Sequence, residues 1–154
     1  GDYDHRKEKN NNTNNWLSPI NTNTKTLFEQ RFSEIIKTQN IHLSPITINK
    51  RPIAIIKRTE KHIMFEFDVL CKQARSASDY LLICQQYDSV FLVINQAIEA
   101  NDRNTVKRFI TLIDVLYDSE TTLVVLSQVP FVELYSGADF AFEMQRTISR
   151  LSEM

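Results

Sequence analysis

The chain has 154 residues, 42% of them hydrophobic, with a formal net charge of −1 and a pI near 6.3. The length suits one ordinary domain with a real core, and the near-neutral balance excludes a global basic field for nucleic acid, leaving any such contact to local patches. No apolar run reaches the roughly 20 residues that span a bilayer, and the first residues carry no secretory pattern.

Residues 1–24 are polar, and the run KEKNNNTNNW cannot bury enough apolar surface to offset its chain entropy. This stretch predicts a loop or tail, anchored by Trp16 and Leu17. From Lys25 to Lys37, Leu27, Phe28, Phe32, Ile35 and Ile36 recur at helical spacing. The period then changes. Ile46–Ile48, Pro52–Arg58 and His62–Phe67 are β-rich runs separated by turn residues, which predicts a short antiparallel meander. Pro52 suits its edge, and Ile53, Ile55, Ile63, Phe65 and Phe67 alternate onto one buried face.

Ser78 is placed to cap a helix that carries Asp79 in its first turn and ends near Tyr87. Ser89–Ile94 (SVFLVI) is an unbroken apolar run, the pattern of a strand buried on both faces. The longest helix is predicted over Asn104–Asp118. Val106, Phe109, Ile110, Ile113, Leu116 and Tyr117 form its apolar arc, and Lys107, Thr111, Asp114 and Asp118 its polar face. Thr122–Leu126 is a second buried strand, Phe131–Tyr135 a helical turn and Phe140–Met154 a final helix. Alternating strand and helix implies a parallel sheet with right-handed crossovers. The fold class is therefore α/β, a parallel sheet with flanking helices plus a small antiparallel meander. Its parts are a tail over 1–24, a helix and meander over 25–67, and a βαβα portion over 68–154.

Chemistry is bounded most sharply by glycine, present only at Gly1 and Gly137. A Walker A loop needs glycines spaced around a phosphate so that bare backbone N–H groups can wrap it, followed by Lys and Ser or Thr. Neither that loop nor a GxGxxG dinucleotide turn can be written with these two positions. The first residue is not Met, which fits a piece of a longer protein and equally a trimmed chain. Cys71 and Cys84 are the only cysteines, both beside apolar residues, which points to a reducing compartment, packing roles and no disulfide framework.

Eight segments share order and spacing with one family. They are DYDHR at 2–6, FDVLC at 67–71, SASDY at 76–80, FLVINQA at 91–97, KRFITLIDVLYD at 107–118, LVVLSQVP at 123–130, ELY at 133–135 and FAFEMQRTISRLSEM at 140–154. Together they resemble the C-terminal half of the ZapE-type (Afg-one-like) AAA+ P-loop ATPases, whose pattern runs FxDLC, LGAADY, DVP, ARRFITLID-LYD, LVVSAE-P, LY and FxFxRTxSRLxEM. The likeness spans nearly the whole chain and is thin over 7–60. It implies part of a P-loop type sheet and a missing N-terminal half with Walker A, Walker B and the first sensor. ATP and Mg would bind in the intact protein, with none held by this chain alone. It also implies a partner among division-ring or membrane-assembly proteins, possible self-assembly, and a cytoplasmic place in bacteria or the mitochondrial matrix in eukaryotes. Departures from the pattern are Asn95 for the acid of DVP, Lys107–Arg108 for the paired arginines, Leu126–Ser127–Gln128 for SAE, and Ser76 for the glycine of LGAADY. They weaken any metal or water-activating site at the strand ends.

Three arginines are the catalytic candidates. Arg146 and Arg150 stand four apart on one helix face, where like charges repel unless an anion sits nearby. A nucleotide phosphate is one such anion, met by a sensor or finger arginine. Glu143 and Glu153, each three residues away, offer a self-neutralised surface instead. Arg108 sits at the rim of its helix, suited equally to packing and to reaching across a boundary. Lys107 faces solvent. Asn95, Ser127 and Gln128 end parallel strands, where α/β folds bind ligands, although loop capping is their simpler role. Asp2, Asp4 and His5 do not make a convincing metal cluster on a tail, and His42 and His62 lack partners at useful spacing. Lys50, Arg51, Lys57, Arg58 and Lys61 read as a solvated basic hairpin, without the aromatic platform of a nucleic-acid surface. Two functions remain: the C-terminal portion of an ATPase that supplies arginines to ATP bound elsewhere, or a non-catalytic interaction module or relic.

Overall fold

A computed structural model describes residues 15–154. Its main sheet has five strands: β1 (Trp16–Leu17), β4 (Lys57–Arg58), β5 (His62–Glu66), β6 (Ser89–Ile94) and β7 (Thr122–Ser127), in the order β1-β7-β6-β5-β4. Neighbours are parallel except β4, which runs antiparallel to β5 at one edge. A separate antiparallel pair, β2 (Ile46–Ile48) and β3 (Arg51–Ile53), completes the β structure. The α-helices are α1 (Thr22–Ile36), α2 (Phe67–Cys71), α3 (Ala77–Gln86), α4 (Arg103–Asp118) and α5 (Ala141–Glu153), with a 3₁₀ turn at Phe131–Glu133. The α/β class and the small antiparallel addition are as expected from the residue pattern.

Three local readings need correction. Residues 15–24 are not a tail. Trp16 and Leu17 pair with Val125 and Leu126, the Trp16 indole N–H donates to the Val129 carbonyl at 2.9 Å, and its ring meets Phe131 edge-on at 5.7 Å. Asn21 then caps α1 by accepting from the Thr24 amide, so the helix starts earlier than its apolar stripe. Most of the Asn-rich run, with Asp2, Asp4 and His5, lies outside the described residues. The predicted meander is divided. The two-residue turn Asn49–Lys50 closes β2 onto β3 with both φ angles positive, as a tight hairpin requires. The third run instead enters the main sheet, where β5 pairs parallel with β6. Ile63, Met64 and Phe65 are consequently all buried, rather than alternating, and Phe67 opens α2. The cap of α3 is Ser76, not Ser78, because its amide donates to Asp79 Oδ2 at 2.8 Å and that box requires Asp79 three residues on.

Both faces of the parallel strands are covered. Met64, Phe91 and Val124 stand in register across β5, β6 and β7 and form the floor for Phe28, Phe32 and Ile36 of α1. Phe91 takes both phenylalanines edge-on, at centroid distances of 5.4 and 5.0 Å. Ile63, Phe65, Val90, Leu92, Leu123 and Val125 belong to the second cluster, with Val106, Phe109, Ile113 and Leu116 of α4 and the buried residues of α2, α3 and α5. The predicted apolar arc of α4 is thus its sheet-facing side, although Tyr117 is only half-buried.

The β2–β3 hairpin is tied to α3 through Asp79, which accepts from Asn49 at 2.7 Å and from Arg51 at 3.2 Å. Burial alone would raise the Asp79 carboxyl. The hydrogen bonds from Asn49 and Ser76 and the charge of Arg51 outweigh it and hold the group below the usual carboxylate range.

Two outcomes follow. Phe91→Ala should destabilise the fold by about 3–5 kcal/mol, a fall in Tm of roughly 6–20 °C, since it empties the contact between α1 and the sheet. A loss below about 1 kcal/mol by denaturant melting would show that α1 does not depend on it. Because the folded carboxyl of Asp79 is depressed, its stabilisation is present above the unfolded pKa of about 3.9 and is lost as pH falls through the lower folded value. Asp79→Asn should therefore be less stable than wild type by about 1–3 kcal/mol at neutral pH, and the gap should narrow in acid. An equal gap at pH 7 and pH 3 would remove Asp79 from this role.

Candidate functional site

The apolar side of α4 is committed to the sheet, so its remaining sides meet neighbouring helices. One presents Asp114 to α5. Arg146 donates to Asp114 Oδ2 at 3.4 Å, and Arg150 donates to Asp114 Oδ1. The Arg150 guanidinium also lies over the Tyr117 ring, 5.0 Å from its centroid, and the Tyr117 hydroxyl donates to Glu153. The anion that relieves the repulsion between these arginines is therefore Asp114 from another helix, and not Glu143 or Glu153 on their own. Arg146 is the more exposed of the two; Arg150 is three-quarters buried against α4.

Another side of α4 presents Arg108 to α2 and α3. Its Nη1 donates to the Cys71 carbonyl at 3.3 Å. Arg75, in the loop between α2 and α3, donates through Nε to the Val69 carbonyl at 3.0 Å and through Nη2 to Gln73 at 2.8 Å. Together with the exposed Lys107, these residues line a groove of about 390 Å³ that also touches Ser76, Asn104 and Thr111. Neutral acceptors orient both guanidinium groups without cancelling their charge. Tyr80, beneath the groove, is buried and donates to the Leu70 carbonyl at 2.7 Å. Burial pushes the Tyr80 hydroxyl and the Cys71 thiol far up, so neither supplies a nucleophile at neutral pH. Cys84 is raised by burial as well.

The carboxyl ends of the parallel strands form a third polar locus. Asn95 follows β6 and donates to Glu66 Oε2 at 3.1 Å; Glu66 ends β5. Residue spacing alone does not point to Glu66, because an antiparallel meander leaves its end of β5 away from β6, and only parallel pairing brings the two ends together. Ser127 is buried and accepts from the Val129 amide, while the Gln128 amide donates to the Ile94 carbonyl. These two residues shape the loop after β7. Among the described residues no group of three His, Cys, Asp or Glu is placed to hold a metal ion, and no helix is long and apolar enough to cross a membrane. His62 Nδ1 lies 2.6 Å from Ser89 Oγ, and burial lowers its pKa more than Asp88 raises it. In the basic hairpin region Arg51 is paired with Asp79, Lys57 with Glu29, and Arg58 donates to Ser44. That region is internally satisfied at three of its five cations.

Comparison with known proteins accounts for the motifs. The chain matches the AFG1-like ATPase family over residues 1–154. The cell division protein ZapE of Escherichia coli (strain K12) is 31% identical over 139 residues, covering 90% of this chain and 37% of ZapE. An uncharacterized protein of Schizosaccharomyces pombe is 28% identical, covering 98% of this chain and 40% of that protein. Lactation elevated protein 1 homolog B of Danio rerio is 25% identical over 80% of this chain and 31% of its own length. The chain thus spans well under half of the length of these relatives. No solved structure matches it. With a match along its whole length and a ZapE relative at this identity, the chain belongs to the AFG1-like ATPase family.

Proposed function

We propose that this chain is the C-terminal portion of a ZapE-like AAA+ ATPase and that it supplies arginine to ATP bound by a Walker-bearing N-terminal segment, in the same chain or another copy. Two glycines cannot build a phosphate-wrapping loop here, so ATP and Mg belong to that other segment. The observation that carries the role is Arg108. Its guanidinium is held by a backbone carbonyl and forms no ion pair among the described residues, so its charge is available to a developing phosphoryl anion. Arg146 and Arg150 are the further candidates, but Asp114 already holds both. For either to act, phosphate must displace a carboxylate. In this reading Arg150 mainly fastens α5 to α4, and the more exposed Arg146 retains donors for an outside anion. Likeness to a cell division protein supports a role beside division machinery.

A second reading, a non-catalytic protein-interaction module, is favoured by one observation. Phe142 at the start of α5 is 80% exposed, and Val132 in the 3₁₀ turn that packs on this helix is 42% exposed.

The chain by itself should not hydrolyse ATP above background. Joined to a Walker-bearing segment, it should support turnover, and Arg108→Ala should lower that rate by at least about tenfold at unchanged Tm. Arg150→Ala should instead lower Tm, with a smaller loss of rate. Turnover by the chain alone would refute the division of labour. Wild-type rates in the Arg108, Arg146 and Arg150 variants would favour the interaction module.

A further inference from the structure

We propose that the groove between the start of α3 and the first turns of α4 is a metal-free binding site for a phosphate group, built by Arg75, Lys107 and Arg108. The groove lies wholly within this chain. The inference therefore stands whether or not Arg108 also reaches a nucleotide held by another segment.

Three cations reach one concavity from two separated stretches of chain. Like charges so gathered repel, and among the described residues none of the three is in an ion pair. The neighbouring carboxylates Asp79 and Asp102 make their hydrogen bonds elsewhere and act on Arg75 and Arg108 only through space. Asp79 is taken by Asn49, Arg51 and the Ser76 amide. Asp102 caps α4 through the Thr105 amide and accepts from its hydroxyl at 2.7 Å. Burial, then the nearby Arg51, presses the pKa of Arg75 down, and the opposing charge of Asp79 does not offset them. The carbonyls of Val69 and Cys71 and the amide oxygen of Gln73 nevertheless fix both guanidinium groups in place. The donors are thus held ready before any ligand arrives, which reduces the ordering that binding must impose.

The chemistry of the missing anion follows from charge and shape. Three positive groups exceed what one carboxylate balances, whereas a phosphate dianion or a pyrophosphate comes close. Two planar guanidinium forks match tetrahedral oxyanions edge to edge, and an ammonium adds a point charge. Ser76 and Ala77 at the start of α3 line the same groove, whose helix end is already closed by the Ser76–Asp79 capping box. No carboxylate lines the groove, so the charge of a bound phosphate is met there by the three cations and needs no bridging metal. Arg75 stands where the family pattern LGAADY has leucine, so this site is not simply the general pattern repeated.

The test is titration of the ¹⁵N-labelled 154-residue chain with inorganic phosphate, pyrophosphate and ATP, each without magnesium, at low ionic strength and pH 8. Saturable shifts should centre on Arg75, Ser76, Ala77, Lys107 and Arg108, with pyrophosphate tighter than phosphate and ATP no tighter than pyrophosphate. Arg75→Gln with Lys107→Gln should weaken pyrophosphate at least about tenfold, while Lys61→Gln should leave it unchanged. Should the double variant lose its dispersed spectrum, the exposed change Lys107→Gln alone must still weaken binding several-fold. The proposal is overturned by shifts that fail to saturate or centre on Lys50 and Lys61, by unaltered affinity in the variants, or by ATP binding where pyrophosphate does not.

Discussion

The parallel strands β5, β6 and β7 must be covered on both faces, and that requirement governs the rest of the molecule. A sheet edge-bonded in this way carries apolar side chains above and below, so one helix layer is not enough. Helix α1 supplies the cover on one side through Phe28 and Phe32 on Phe91. Helices α2 to α5 supply the other. Strand β1, only two residues long, joins the sheet beside β7 and leads directly into α1, so the beginning of the described chain is part of the same packing.

Covering the sheet fixes the rotation of α4, and from that rotation the electrostatics follow. With Val106, Phe109, Ile113 and Leu116 turned inward, Asp114 must face α5 and Arg108 must face α2 and α3. One helix thereby creates two environments that differ in kind. Beside α5, a carboxylate and two arginines neutralise one another and join two helices. Beside α3, cations are oriented by carbonyl oxygens and keep their charge. The first arrangement joins helices; in the second, among the described residues, no carboxylate pairs with the cations. This is why the three arginines named from the residue pattern do not form one site.

What was legible in the residues tracks how local the determining physics is. Helix α4 and strands β6 and β7 were readable because each carries its own unbroken apolar signal. Strand β1 was not, since two apolar residues after an Asn-rich run gain their meaning only from Val125, Leu126 and Phe131 far along the chain. Strand β5 showed an alternation that suggests one buried face, yet Met64 is buried too because α1 covers the second face. The arginine candidates carry a motif, and spacing offers Glu143 and Glu153 or an outside anion as counter-charge, whereas the partner is Asp114 of α4. Asp114 was visible only as a polar position on α4. Pairing across helices depends on relative rotation, which no spacing rule reports. Arg75 was hidden for the same reason: its place beside Lys107 and Arg108 exists only once α3 packs on α4.

The scarcity of glycine has a further consequence. Among the described residues, the positive-φ positions are Lys37, Asn49, Lys50, Glu120 and Phe140, and none is glycine. Asparagine accepts this region readily; lysine, glutamate and phenylalanine do so against a penalty of about 1 kcal/mol or more apiece. The chain therefore turns its corners with residues that resist turning, held there by burial elsewhere. Its unused stability lies at those corners, outside the sheet, and a backbone without a Cβ at Lys50 or Glu120 would release it while leaving the core and both arginine clusters as they are.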